Sequence, residues 1–286
     1  ARRREVLALC AAQLDADQPV RQRPLPTSEL LCVPLAICAY EANELDRAIE
    51  LAQRGHAEYR RYGLQSRGLL AADRVLILTY AARDDWDAAW SAFKDVESLP
   101  TTSRWVAPQL ALLAADLHLR LGRLAAAEQS LASVAPNAHR LPVEIGEAYA
   151  CTTARVLLAQ GRATEAHEQL AGLAPGGRAA AGFARLIPFR VLRAFSQAAL
   201  VQTEAARTAL HAAIEIAAPE GYLRRFLDEG PGIAGLLPLA DALAPTFIAD
   251  IRQAVGVKSV VGTPAAGSAA PQRLPNELTQ QERTIL

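Results

Sequence analysis

The stretch Ala154-Arg155-Val156-Leu157-Leu158-Ala159-Gln160-Gly161-Arg162-Ala163-Thr164-Glu165-Ala166 decides the fold. An apolar segment rich in leucine and alanine runs into a glycine, and a second segment with small and charged residues starts two residues later. That is a helix, a left-handed stop at Gly161, and a second helix folded back on the first. The same arrangement recurs at Asn43-Glu44-Leu45, Asp84-Asp85-Trp86, Gly122-Arg123-Leu124 and Val201-Gln202-Thr203. Each turn is followed at the same offset by an alanine: Ala48, Ala89, Ala127, Ala166 and Ala206. These alanines are 38 to 41 residues apart. One helical turn further on stand Ala52, Phe93, Leu131, Leu170 and Leu210, on the same face of the second helix. Twelve residues before each alanine stand Ala36, Ile77, Ala115, Ala154 and Ala194, mostly small. Small residues at these positions let paired helices approach closely. Glycine, asparagine or aspartate suits the left-handed stop in four of the turns, and Val201 departs from that chemistry.

One helix pair buries one face and leaves another wet, so pairs of this kind must stack. The expectation is an all-α solenoid of about five repeats of roughly 40 residues. It resembles a tetratricopeptide array in its small residues, turn glycine and second-helix alanine. It departs from that family in repeat length, which is usually ~34 residues, and in lacking most of the bulky first-helix aromatics. Gly63, Pro100, Pro136 with Pro142, and Pro175-Gly176-Gly177 mark the boundaries between repeats. Residues 2–15 read as one helix ahead of a proline-rich loop. Pro219–Gly230 and Ile233–Gly256 read as short helices broken by glycine and proline.

Composition agrees. The chain has 286 residues, 51% hydrophobic and only 5% aromatic, which favours helices over a sandwich or barrel. Thirty basic and thirty acidic side chains cancel, so no overall field draws the chain to nucleic acid or an anionic membrane. Of the basic residues only Lys94 and Lys258 are lysines. The longest uncharged run that could be weighed as a membrane span contains Pro264, Gly267 and Pro271, so no span is expected. Neither signal peptide nor methionine opens the chain, and the expectation is a fragment of a longer, cytoplasmic protein. Cys10, Cys32, Cys38 and Cys151 make no Cys-x-x-Cys pair and read as reduced, packed thiols.

Two terminal stretches carry more specific information. Leu278-Thr279-Gln280-Gln281-Glu282 pairs Thr279 with Glu282 as a capping box and leads to Ile285 and Leu286. It resembles the opening of a LuxR-type helix-turn-helix domain, matched at Leu278, Thr279, Glu282 and Leu286. Glu220-Gly221-Tyr222-Leu223-Arg224-Arg225-Phe226-Leu227-Asp228-Glu229-Gly230 resembles the end of the helical array in MalT-like (LAL) regulators. From the residues alone, Gly221 ends a helix, and Tyr222, Phe226 and Leu227 form the apolar face of the next. The resemblance implies three parts: a helical sensor domain over 1–256, a Pro/Gly/Ala linker over 257–276, and the first residues of the DNA-binding domain at 277–286. It also implies an inducer, promoter DNA bound through a domain beyond Leu286, and an ATP-binding module upstream. This chain contains no Gly-x-x-x-x-Gly-Lys-Ser/Thr loop, so neither a cofactor nor strong DNA binding is expected of it.

The first helix of each pair should line the concave side. The register places Arg74, Gln109, Asp116, Arg120, Arg155 and Phe195 there, with Leu78, Leu112, Leu119 and Leu158. Convergent arginines on an apolar wall suit an anionic inducer or an acidic peptide. The alternative is that they pair with Asp116 and Asp73 or face water. Tyr40 and Tyr80 could stack on a ligand, though packing against the next turn is the simpler expectation. No nucleophile elbow or metal-binding histidine pair is present, and His56, His118, His139, His167 and His211 are scattered. A non-catalytic chain without a metal site is expected. A rival reading is a scaffold that docks a protein or peptide in its groove. Sticky solenoid ends leave self-association open.

Overall fold

In a computed structural model the described residues are 8–10, 12, 31–61, 67–99, 103–171 and 183–261. They are helical, with turns and 3₁₀ segments, and contain no strand. Five antiparallel pairs follow one another. Helices α1 (Cys32–Glu41) and α2 (Leu45–Arg61) form the first, and α3 (Arg67–Ala82) and α4 (Trp86–Glu97) the second. The third is α5 (Val106–Arg120) with α6 (Leu124–Val134), and the fourth α7 (Val143–Ala159) with α8 (Ala163–Ala171). Helices α9 (Phe183–Ala199) and α10 (Thr203–Ala217) complete the array.

All five turns share one hydrogen-bonding pattern. The N–H two residues into each turn reaches back to a carbonyl five residues earlier: Glu44 to Ala39, Asp85 to Tyr80, Arg123 to His118, Arg162 to Leu157 and Gln202 to Gln197, at 2.8–3.0 Å. This closure requires a left-handed residue at its centre. Asn43, Asp84, Gly122, Gly161 and Val201 supply it with φ of 65°, 60°, 67°, 76° and 60°. Val201 therefore departs from the others in sequence only; its backbone obeys the same geometry.

The alanine register is the packing register. Ala48, Ala89, Ala127, Ala166 and Ala206 are fully buried, as are Ala36, Ile77, Ala115, Ala154 and Ala194. Ala52, Phe93, Leu131, Leu170 and Leu210 are buried with them. In the first pair the approach is closest at Gly55, where a Cβ would stand 2.6 Å from Val33 Cγ2. Apolar contacts run along the array as successive clusters, from Leu35, Ile77, Phe93 and Leu117 through Leu112 and Ile145 to Leu170 and Leu192. Helix α9 passes through Pro188 without ending, a position sequence reasoning left unremarked.

Beyond α10 the chain forms a cap. A 3₁₀ turn (Ala218–Glu220), α11 (Arg224–Leu227), α12 (Ile233–Leu236) and a second 3₁₀ turn (Leu237–Ala240) lead to α13 (Pro245–Val261). Phe226, Ile233, Leu237 and Ile251 are fully buried against Ile214 and Ala217 of α10, and Phe226 meets Phe247 edge-on at 5.5 Å. The reading of Ile233–Gly256 as short broken helices is corrected here. Pro245 starts one 17-residue helix, because proline is favourable at a helix start and Phe247, Ile248 and Ile251 give it an anchoring face. That helix runs through Gly256 to Val261, into the stretch read as linker. The remainder of that stretch and the 277–286 motif lie outside the described residues. So do most of the 2–15 helix and the boundaries at Gly63, Pro100 and Pro175–Gly177. Residues 8–10 and 12 are helical, and Cys10 packs on the first cluster.

Candidate functional site

The site is made where the ends of the first helices meet the capping segment. The last turn of α1 presents Tyr40 and Glu41, and Asn43 follows in the turn. Helix α5 places Asp116 and Arg120 one turn apart on one face, α7 adds Thr152 and Arg155, and α3 adds Arg74. Opposite stands α11 with Arg224, Arg225 and Asp228, followed by Glu229. Gly221 and Gly230, both left-handed at φ 70° and 83°, flank this short helix and let the chain turn sharply on either side of it.

Asp228 is the centre of the contacts. Tyr40 donates its hydroxyl to Asp228 Oδ2 at 2.7 Å, across 188 residues of sequence. Arg120 Nη2 lies 3.2 Å from Asp228 Oδ1, and Arg224 pairs with the same oxygen from one turn earlier. Arg224 also donates to Asn43 Oδ1 at 3.2 Å and lies over the Tyr40 ring, 5.3 Å from its centroid. Arg155 grips Glu229 with two donors, Nε at 2.8 Å and Nη2 at 2.6 Å, and reaches Asp116 at 3.4 Å. Thr152 donates to Asp116 at 3.1 Å, and Arg225 pairs with Glu41. Arg224 is almost fully buried, and the Arg120 and Asp228 side chains are 18% and 19% exposed. Helix α11 thus touches both α1 and α9, so the capping segment bridges the first and last pairs.

The electrostatics follow from this crowding. Burial pushes the Tyr40 hydroxyl up to about 12, and the Asp228 charge adds to the effect. Burial alone would raise the Asp228 carboxyl; Arg120, Arg224 and the Tyr40 hydrogen bond outweigh it and hold it well below the usual carboxylate range. Arg155, whose charge burial disfavours, is held protonated more firmly than usual by Glu229 and Asp116. Arg74 goes the other way: burial, with Arg225 and Arg120 nearby, lowers it, and Asp116 and Tyr40 offset only part. The Cys151 thiol is pushed up to about 11, chiefly by burial, which makes it a poor nucleophile.

The structure brings Asp116, Arg120 and Arg155 together and engages both arginines with the chain's own carboxylates, while Arg74 stands exposed on α3. The partners are Asp228 and Glu229 as well as the Asp116 that was foreseen. Asp73 instead meets His56 Nδ1 at 2.5 Å. Gln109 does not join the cluster, since it donates to the carbonyl of Trp105, the residue capping the start of α5, at 2.9 Å, two turns from Asp116. Phe195 packs against the cap, where its ring lies 3.5 Å from a Cβ built on Gly232. Leu78 and Leu112 are buried in the helix-to-helix clusters, and Leu119 and Leu158 are packed on them, because these positions face neighbouring helices more than the concavity. Tyr40 is also corrected: it serves as a hydrogen-bond donor to Asp228 as well as a packing residue. Sequence reasoning missed Asp228, Glu229 and Arg224 as groove residues. The one signal was the alternation of an arginine pair and an acidic pair within six residues.

Among the described residues no group of histidine, cysteine and carboxylate side chains has the placement to hold a metal ion. None of their helices is long and apolar enough to cross a membrane. His118 stacks on Trp90 with centroids 4.8 Å apart, and burial, then Arg123, lowers its basicity. The ion-paired carboxylates are fixed by arginines and are poorly suited to proton transfer; the cluster holds the capping segment to the array.

No curated protein matches the chain. Among solved structures it is similar to the crystal structure of BtubC (BKLC) from P. vanneervenii, at 16% identity and a TM-score of 0.42, over 82% of this chain and 99% of that one. The family model described as the MalT-like TPR region matches residues 7–242. That span takes in the five helix pairs, Asp228 and Glu229, and most of the cap, so the chain belongs to the MalT-like TPR family.

Proposed function

We propose that this chain is the effector-sensing domain of a MalT-like, LuxR-type transcriptional regulator, and that residues 224–229 are the element that reports occupancy of the groove. The observation that carries this reading is the pairing of Asp228 and Glu229 of the capping segment with Arg120 and Arg155 of the array. An effector that enters the groove must share these arginines with the chain's own acids. A ligand favouring the open arrangement shifts the population towards it by the difference in its affinity for the two states. The segment leads through α12 and α13 towards the linker and the Leu278–Leu286 motif, so its release is transmitted to a DNA-binding domain by position alone. In the regulator as a whole, an upstream module would bind ATP, and promoter DNA would be bound beyond Leu286.

A thermal-shift screen of small metabolites, followed by hydrogen exchange on each hit, tests this. The expected result is a metabolite that raises the melting temperature while deprotecting amides in 224–229. Stabilisation only by peptides or proteins would instead support a docking scaffold. A parent protein without a helix-turn-helix after Leu286 would remove the regulatory reading.

A further inference from the structure

Asp73 is a buried carboxylate that lies outside the capping cluster. Its side chain is 6% exposed, and its Oδ1 meets His56 Nδ1 at 2.5 Å. The other oxygen, Oδ2, is buried with no hydrogen-bond partner among the described residues. His56 belongs to α2 and Asp73 to α3, so the contact crosses from the first helix pair to the second. The imidazole is 26% exposed, which leaves it free to exchange protons with solvent.

The charged groups around the pair do not replace it. Arg60 on α2 and Asp95 on α4 act on Asp73 with opposite signs, and neither is ion-paired to it. The remaining charges of α2 are in surface pairs of their own. Arg74, next to Asp73 on α3, is exposed. From α1, the buried Cys32 lies against Gly55, and Glu41 is paired with Arg225.

A neutral imidazole that donates Nδ1–H to the carboxylate leaves one net negative charge in the seam. A proton on the imidazole cancels that charge and turns the hydrogen bond into an ion pair. In the unfolded chain water solvates both groups, and the proton gains little from the carboxylate. Folding therefore strengthens proton binding by the pair as a unit. The Asp73 carboxyl shows the same sign: burial holds it above its ordinary value, and His56 and Arg60 offset this only in part. By linkage, the protonated pair stabilises the seam on the acid side, and that contribution is lost as pH rises through the folded value of the pair.

We propose that His56 and Asp73 form a proton-operated joint between the first and second helix pairs, held shut while the pair keeps its proton and loosened when the proton leaves. The first pair carries Tyr40 and Glu41, whose contacts with α11 depend on where α1 stands. The joint goes beyond the sensor reading and does not rest on it, since it works whichever ligand the array receives.

The test compares melting temperatures of the intact 286-residue chain and its variants from about pH 5.5 to about pH 9. His56→Gln keeps a neutral donor to Asp73 but cannot take up a proton. It should melt a few degrees below wild type at about pH 5.5 and within about a degree of it at about pH 9. Asp73→Asn removes the charge that holds the proton, and its deficit should shrink in the same direction. The capping contacts cannot imitate this profile, because Asp228 is held well below that range and Tyr40 at about 12. His139→Gln, exposed between α6 and α7, should follow wild type at every pH. Hydrogen exchange gives a local readout: protection factors at the end of α2 and in α3 should fall with rising pH in wild type, stay level in His56→Gln, and hold in α7 and α8. A deficit that is equal at all pH values would make the contact a plain structural hydrogen bond and overturn the proposal. A deficit that grows with pH would overturn it as well.

Discussion

Val201 holds a φ of 60° with its side chain 85% exposed. A β-branched residue in the left-handed region costs about 1–2 kcal/mol, and nothing packs on Val201 to offset it. Val201→Gly should therefore stabilise the chain by about 1 kcal/mol, read as a higher urea midpoint with an unchanged slope. Tyr40 makes a second prediction at this scale. Its folded value, about 12, lies above the ordinary 10.0, so the unfolded chain loses this proton first. Its contribution to stability is complete below the ordinary value and is lost as pH rises through the folded one. Tyr40 should ionise late in an ultraviolet difference titration, and Tyr40→Phe should remove that late step.

At the scale of elements, the helix pairs follow from periodic apolar faces and from small residues where backbones cross. Gly55 in α2 shows how far packing overrides local preference. Helix propensity alone predicts that Gly55→Ala gains about 0.5–1 kcal/mol. The added methyl would lie 2.6 Å from Val33 Cγ2 and 3.3 Å from Val33 N, so the expected sign is the opposite. A loss of about 1–3 kcal/mol in chemical denaturation is predicted, since over-packing forces the α1–α2 backbones apart. The same logic explains why α13 continues past Gly256: its buried Phe247, Ile248 and Ile251 hold it on the cap, and one helix-interior glycine is too small a penalty to stop it.

For the whole molecule the consequence is closure. An open stack of repeats is stabilised by nearest neighbours and can fray from either end. Here α11 packs on α9 and is tied to α1 and α5 through Tyr40, Arg120, Arg224 and Asp228. Removing the charge with Asp228→Asn leaves two arginines without their partner at a mostly buried position. The predicted cost is about 2–3 kcal/mol, somewhat below that of a fully buried pair because the groups keep some solvent contact. Hydrogen exchange should show early loss of protection in 224–229 and at the end of α1, with the central pairs unaffected. The acid response has a definite sign. Asp228 is held below its unfolded value, so its contribution is intact at neutral pH and declines only as pH falls below about 4. The difference in melting temperature between wild type and Asp228→Asn should be constant in mild acid and shrink below that point.

The helical array was legible in the chain because its determinants are local. A residue's distance from the turn decides which face it presents, so Ala127 or Leu170 can be assigned to the interior from spacing alone. The turn chemistry is equally local, and even Val201 could not break it, since hydrogen bonds on both sides of the turn fix its backbone. That Asp116, Arg120 and Arg155 share one side of the array came from the same register. Their partners on the capping segment did not. Asp228 lies 188 residues from Tyr40 and Glu229 lies 74 from Arg155, and they meet only because the stack curves until its ends are within reach of one short helix. No periodicity encodes that distance. Curvature accumulates from small rotations between successive pairs, and only the completed stack determines which charges are paired and which, like Arg74, remain open.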